Sequence, residues 1–409
     1  MGSSMESPNS SAAPPAPRGL LVLTIDRLPA WMMPTWGATW VSMPNLDALG
    51  GRGLVFDRLL ATSLDPRETL RALTADGGLW REAAAAGWAA AVVTDESSLP
   101  AVAPGVERIE VPAASVADTA ADDDQTNAAR LCAGARDVIV AGRHRLVWCH
   151  MSGLAVAWDA PEAFRENYVD PDDPPPPAGA RVPHFTVGED TDPDRVVGIR
   201  QVFAGQLTLL DRCVGQVLEA AASAGWAVLL AGLRGMPLGL HGVVGCERGN
   251  PPGGFPYGEW AHLPAILVDA AGRMAGQRYG GLVVPAEIGA TLVGIVAGHR
   301  SSPAAEPARL AGLFDSWSAP PRDRVIINAG EQAAIVTDGW HLVASRPHAG
   351  GGMPARLFAK PDDYFELSDV ANRCAAVADE LERALEPVWR GAIPEAYALP
   401  LSIDATSGQ

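Results

Sequence analysis

Apolar residues follow two rhythms along this chain. An unbroken apolar run appears at Gly19–Ile25, and short, mainly apolar strand candidates follow at Ala89–Val93, Arg145–His150, 226–231 and Pro264–Val268. An unbroken run is what a strand needs when both faces of a parallel sheet are covered. Between the runs, apolar side chains return every third or fourth position, predicting helices at Pro44–Gly51, Gly78–Ala86, Asp124–Arg136, Asp194–Ala224 and Ala286–Ala297. Leu54–Phe56 reads as a short extended piece, and Ser63–Ala75 as a turn leading into a helix. This alternation predicts an α/β fold: a largely parallel central sheet sandwiched by helices.

Two breaks interrupt the alternation. Residues Asp170–Pro193 are acidic and proline-rich, including Pro174–Pro177, and read as a surface loop or lid. Residues Ser301–Pro321 form the second break and the predicted domain boundary. Beyond it, Arg324–Asn328, Ala333–Thr337 and His341–Ala344 predict short antiparallel strands. Asp369–Arg390 then predicts an amphipathic helix, with Val377, Leu381, Leu385 and Val388 at helical spacing. The expected organisation is a tail at 1–18, an α/β domain at 19–315, a small C-terminal α+β subdomain at 316–400 and a tail at 401–409. No internal repeat is visible.

Composition narrows the class. A chain of 409 residues with 48% hydrophobic content can build a large core plus a smaller one. Mean hydropathy near zero fits a soluble globular protein. No apolar run approaches the roughly 20 residues that span a bilayer. Residues Met1–Arg18 are rich in Ser, Pro and Ala, read as a disordered tail, and lack the basic and apolar regions of a secretory signal. Glu6 stands where N-myristoylation requires Ser or Thr.

A net charge of -17 argues against nucleic acid or an anionic membrane as partner. A protein or small-molecule partner of unknown identity remains. The five cysteines are scattered and odd in number, which predicts reduced thiols and a cytoplasmic location. Lys360 is the only lysine, so chemistry that needs two lysines is excluded.

Some residues have a purely local reading. Asp65-Pro-Arg-Glu68 resembles a helix start, with Asp as N-cap, Pro at the first helical position and Glu where a capping box would place it. His150 lies on an apolar strand and reads as a satisfied core residue; His241, flanked by glycines, reads as a structural hydrogen-bonder. Trp31, Trp36 and Trp40 follow the first strand, where loops surround the pocket of such folds. They predict either packing or an aromatic-lined cleft for a sugar or another ring-bearing ligand.

Several segments, in order, resemble the sulfatase family of the alkaline-phosphatase-like superfamily. Leu21–Asp26 resembles its first strand, and Met43-Pro-Asn-Leu-Asp-Ala-Leu through Phe56 resembles a Thr-Pro-Asn-Leu-Asp-x-Leu stretch. Leu209-Leu-Asp-Arg-Cys-Val-Gly215 is similar to a Leu-Asp-x-x-Val-Gly helix. His150–Pro161, Gly239–Gly242, Tyr257–Val268 and Thr337–Leu342 also have counterparts, so the resemblance spans about residues 19 to 390. It implies a hard divalent cation, calcium or magnesium, held by carboxylates, with a Cys- or Ser-derived nucleophile at a helix N-terminus.

The residues that carry this chemistry are altered. Where the family ends its first strand in two aspartates, this chain has Ile25 and Asp26; where it has Asp-His-Gly, Leu233-Arg234-Gly235 stands. Asp26 is the one residual metal-ligand position, and no metal or other cofactor is expected. Arg234 instead offers a cationic group that would pair with Asp26. In the nucleophile segment Arg67 aligns and Ser63 takes the nucleophile position, but Asp65 replaces a proline; Thr69 is a second candidate nucleophile, by analogy with threonine-using phosphodiesterase relatives.

The family's Pro-His pair falls on Leu154 and Ala155, and one lysine falls near Cys246. Thr94-Asp-Glu-Ser97 replaces the other lysine's element, while His241 matches a family histidine. Two readings follow. One is a pseudoenzyme that acts through ligand or partner binding. The other is a rewired metal-dependent sulfuric or phosphoric ester hydrolase, with Asp26, Asp65, Glu68, His241 and His262 converging on a new site.

Overall fold

The computed structural model describes residues 17–97, 99, 103–246, 255–298, 310, 313, 321–346 and 353–391. The expected tails at 1–18 and 401–409 and the predicted boundary at 301–321 lie almost wholly outside them.

Among the described residues, nine strands form one sheet, with eight in the order β11-β2-β10-β7-β1-β5-β3-β4. These are β1 (Leu20–Ile25), β2 (Leu54–Leu60), β3 (Ala90–Thr94), β4 (Val106–Glu110), β5 (Leu146–Met151), β7 (Ala227–Gly232), β10 (Ala265–Val268) and β11 (Gln277–Val283). The ninth, β9 (His262–Leu263), pairs antiparallel with β2. The centre, β7-β1-β5-β3-β4, is parallel throughout, and β10 runs antiparallel between β7 and β2. β6 (His184–Thr186) lies inside the acidic loop and pairs with β8 (Val243–Gly245).

Both sheet faces are covered, which is why the central strands read as unbroken apolar runs. Leu20 and Val22 point into a core closed by α2 (Pro66–Leu73), α3 (Gly78–Ala85) and α8 (Pro285–Val296). Leu21, Leu23 and Ile25 point into a second core closed by α1 (Pro44–Arg52), α4 (Asn127–Ala141) and α6 (Pro193–Ser223). Two short helices, α5 (Glu162–Glu166) and α7 (Gly258–Ala261), sit in loops.

The C-terminal region is an antiparallel sheet, β12 (Val325–Ala329), β13 (Gln332–Val336), β14 (Trp340–Ser345) and β15 (Arg356–Ala359). Its period-2 alternation divides two contacts. Val325 and Ile327 join the first core of the main sheet, while Ile326 and Ile335 pack under α9 (Ala375–Trp389).

That last helix starts six residues later than its pattern predicts. Asp369 accepts hydrogen bonds from the backbone of Leu357 and Ala371, and Val370 N–H donates to Leu357 O, so this stretch is tied to β15 instead of coiling. Among the described residues no helix is long and apolar enough to cross a membrane.

Candidate functional site

β1 and β7 lie side by side with Ile25 opposite Gly232, so their next residues leave the sheet together. Leu233 is fully buried, and its N–H donates to Ile25 O at 3.1 Å. Arg234 turns back toward β1. Its Nε and Nη2 donate to the two oxygens of Asp26, each at 2.9 Å. This fork-to-fork pairing is the strong form of a charged hydrogen bond. The interaction expected of Arg234 is present, with side-chain exposures of only 11% and 7%.

Burial alone would raise the Asp26 carboxyl, but Arg234 and Arg27 overcome it and hold it below its ordinary range. Arg27 is a part of the arrangement that sequence reasoning missed. It takes a left-handed backbone (φ 66°) and places its buried guanidinium 5.2 Å from the centre of the Trp260 ring. Gly235 completes the turn for a steric reason: a Cβ there would lie 2.0 Å from Glu259 O.

The nucleophile segment is built as a helix start. Asp65 accepts from Arg67 N at 2.9 Å with Pro66 at the first helical position, as predicted. Glu68 does not close a capping box. Its carboxylate binds Arg71 at 2.8 and 2.9 Å, one turn along an exposed helix face. Ser63 Oγ accepts from Asp65 N at 3.1 Å, and Thr69 Oγ1 is buried without a hydrogen-bond partner among the described residues. Ser63 and Glu68 line a depression shared with Arg71, Gly78 and Asn328, and its lining includes neither Asp26 nor Arg234. Of this segment, Asp65 is the residue whose charge reaches Arg234, while Arg67 is exposed.

The histidines are held in separate arrangements. His150 has Thr24 and Glu96 on its two nitrogens, at 3.2 and 3.1 Å, a satisfied core residue as expected. His241 stacks on Tyr257 at 3.8 Å between centroids; Nδ1 faces Glu259, and Nε2 donates to Glu366 O, both at 3.2 Å. His262 Nε2 donates to Asp57 O at 2.7 Å, and its Nδ1 faces the Tyr364 hydroxyl at 3.3 Å. Burial lowers the pKa of His262, which favours the neutral ring. Asp26, Asp65, Glu68, His241 and His262 are therefore not gathered into one hydrogen-bonded group.

Of these, His262 lines a cleft of about 730 Å³, whose lining includes neither Asp26 nor Arg234. One wall is an aromatic belt: Trp31 meets Phe365 edge-on at 6.1 Å, Phe365 meets Tyr364 at 5.0 Å, and Tyr364 meets His262 at 5.9 Å. Trp36 joins this lining, whereas Trp40 is outside it and packs against Tyr168. The lining also carries the Arg58–Asp338 (2.6 Å) and Arg278–Asp57 ion pairs.

The loop that supplies Tyr364 and Phe365 is pinned from within. Lys360 Nζ donates to Asp363 O (2.8 Å), Tyr364 O (2.9 Å) and the Glu366 carboxylate. Glu366 also accepts from His341 Nδ1 (3.2 Å) and Gly258 N (3.0 Å). Burial would raise Glu366, but hydrogen bonds and charges from His341 and Lys360 bring it down to about 2. The sequence signal for this cleft was faint: Asp57 and Arg58 interrupt an apolar strand, and the lone lysine lies in the loop.

Comparison with known proteins follows the same lines. No family model matches the sequence. No curated protein matches it. Solved structures do. The phosphonate monoester hydrolase of Agrobacterium radiobacter aligns over 91% of this chain and 95% of its own, at 15% identity and a TM-score of 0.65. That of Silicibacter pomeroyi covers 91% and 94%, at 18% identity and 0.67. A putative sulfatase from Bacteroides fragilis covers 97% and 100%, at 14% identity and 0.67. The fold is that of the alkaline-phosphatase-like superfamily.

The calcium or magnesium ion that the resemblance implies would need several oxygen ligands. Here both Asp26 oxygens are engaged by Arg234, and the neighbouring position is the apolar Leu233. These residues do not fit the ion. Cys246, near the expected lysine position, is a buried thiol whose pKa is raised by burial and lowered in part by Arg27. Leu154 and Ala155, at the Pro-His position, form a short 3-10 turn. Among the described residues no group of three or more His, Cys, Asp or Glu is placed to hold a metal.

Proposed function

We propose that this chain is a pseudoenzyme of the sulfatase fold, acting in the cytoplasm by binding a small ligand or a protein partner. The observation that carries this reading is the buried Asp26–Arg234 salt bridge at the ends of β1 and β7. A guanidinium supplies the positive charge that the resemblance assigns to a metal. It has no open coordination position and cannot polarise an ester oxygen as a Lewis acid does. The helix start at Asp65 points the same way. Its carboxylate occupies the amide-rich end of α2, where an anionic ester would otherwise be received.

The cytoplasmic assignment draws on five free thiols. A binding role draws on the cleft lined by His262 and the 360–366 loop, whose volume lies within the roughly 300–1,000 Å³ of small-molecule sites. The test is direct. Purified protein is incubated with 4-nitrophenyl sulfate and 4-nitrophenyl phosphate, with and without calcium or magnesium. No turnover above buffer is expected. Metal-dependent turnover abolished by Asp26→Ala would overturn the proposal.

A further inference from the structure

We infer that the cleft lined by the Trp31–Trp36 loop and the 360–366 loop is a recognition site for an uncharged carbohydrate. This inference deepens the binding role proposed above and rests on it. It starts from the charges in the cleft. Arg278 is committed to Asp57, Arg58 to Asp338, and Lys360 to Glu366. Glu259, also on the wall, faces His241 and accepts from the backbone of Leu238 and Leu240. The cationic side chains of the lining therefore already face carboxylates. A sulfate or phosphate ester therefore meets no cation in the lining that is not already answered by a carboxylate, and an ammonium meets Asp57 and Asp338 already answered by arginines. Neither charged class gains the strong counter-charge that would favour it over an uncharged ligand.

What remains open suits a polyhydroxylated ring. The belt from Trp31 through Phe365 and Tyr364 to His262 presents ring surfaces, with Phe365 and Tyr364 exposed by 39% and 37%. Aromatic side chains of this kind stack on the apolar C–H face of a pyranose. In the same lining, Asp57 and Asp338 each use one carboxylate oxygen, Oδ1, for an arginine. Their Oδ2 atoms can accept from ring hydroxyls at no cost to the ion pairs. Arg58 is fixed by a further bond from Nε to Gly280 O at 2.6 Å, so these acceptors are held in place before binding. A wholly apolar ligand would leave those groups without partners, which a site of this composition penalises.

The site is preorganised from behind. Lys360 spends its donors on the loop that carries Tyr364 and Phe365, and Glu366 ties that loop to Gly258 and His341. The loop that carries Tyr364 and Phe365 is thus anchored before any ligand arrives.

The experiment uses the full-length chain on an array of neutral cello-, xylo-, malto- and chito-oligosaccharides beside their sulfated counterparts. The best ligand is then titrated by calorimetry. Binding of a neutral oligosaccharide is expected, weaker for its sulfated form. Trp36→Ala and Asp338→Asn should each weaken it by roughly tenfold. Asp338 is exposed, so Asp338→Asn should leave the melting temperature near wild type, whereas Trp36 packs partly against the core and its variant is compared well below its own melting temperature. Three results would overturn the inference: no neutral oligosaccharide bound at millimolar concentration, a sulfated form bound more tightly, or affinity untouched by Trp36→Ala. Turnover of the 4-nitrophenyl esters is scored separately. Its absence alongside absent sugar binding removes the carbohydrate and leaves the non-hydrolytic reading standing.

Discussion

Asp211 on α6 caps α1 through Asn45. Its carboxylate accepts from the backbone and side-chain amides of Asn45, at 3.1 and 2.9 Å, and from Leu46 N at 2.8 Å. Two of the segments that resemble sulfatases therefore meet each other, and neither Asn45 nor Asp211 lines the aromatic cleft. Gly215, one turn further along α6, is held small for the same contact, since a Cβ would lie 2.7 Å from the Asn45 side chain. These motifs persist as scaffold. Replacing Asp211 with Ala should lower unfolding free energy by about 1–3 kcal/mol by orphaning the amides of α1. Urea denaturation reads the loss, and carbohydrate binding should be unchanged.

The Asp26–Arg234 pair makes a sharper prediction. Arg234→Met leaves a buried carboxylate without its partner and should cost about 3–5 kcal/mol. Adding Asp26→Leu removes the stranded charge and should recover most of that loss. A double-mutant cycle by chemical denaturation checks it. If the single and double variants are equally destabilised, the pair is not what holds the strand ends together.

Asp65 and Glu68 separate the two parts of the predicted helix start. Asp65→Ala removes the N-cap bond to Arg67 N and should cost about 1 kcal/mol. Glu68→Ala removes only an exposed pair with Arg71 and should stay within about 0.5 kcal/mol. Thermal unfolding of the two variants distinguishes capping from surface pairing.

Glu366 ties stability to acid. Its folded pKa of about 2 lies below that of an unfolded glutamate. The contribution is therefore complete above the unfolded value, about 4.3, and is lost as pH falls toward 2. Wild-type protein should lose stability through this window, and Glu366→Gln should start lower at neutral pH and lose less across it. Denaturation midpoints at pH 7, 5, 4 and 3 (roughly the span of the titration) show whether the two curves converge.

How much of this the sequence displayed depended on burial. Central strands such as Leu20–Ile25 and Leu146–Met151 announced themselves as unbroken apolar runs, because both of their faces are covered. Edge strands did not. Val106–Glu110 alternates with charge, and Gln277–Val283 begins polar and contains two glycines, so neither offered the expected signal. The pairing of Asp26 with Arg234 was legible because both residues stand at strand ends, where a parallel sheet fixes neighbours. Arg27 was not, since its left-handed backbone conformation has no mark in composition. The cleft was harder still. Tyr364, His262 and Trp31 come from three distant segments, and only the folded loops bring their rings together.

Lys360 has a consequence for chemical reactivity. The chain's one side-chain primary amine is 14% exposed and directs its donors inward to two carbonyls and a carboxylate. Amine-selective acylating reagents will find no freely accessible side-chain amine on this protein until the 360–366 loop opens. The rate of that modification thus becomes a clock for the opening of the loop.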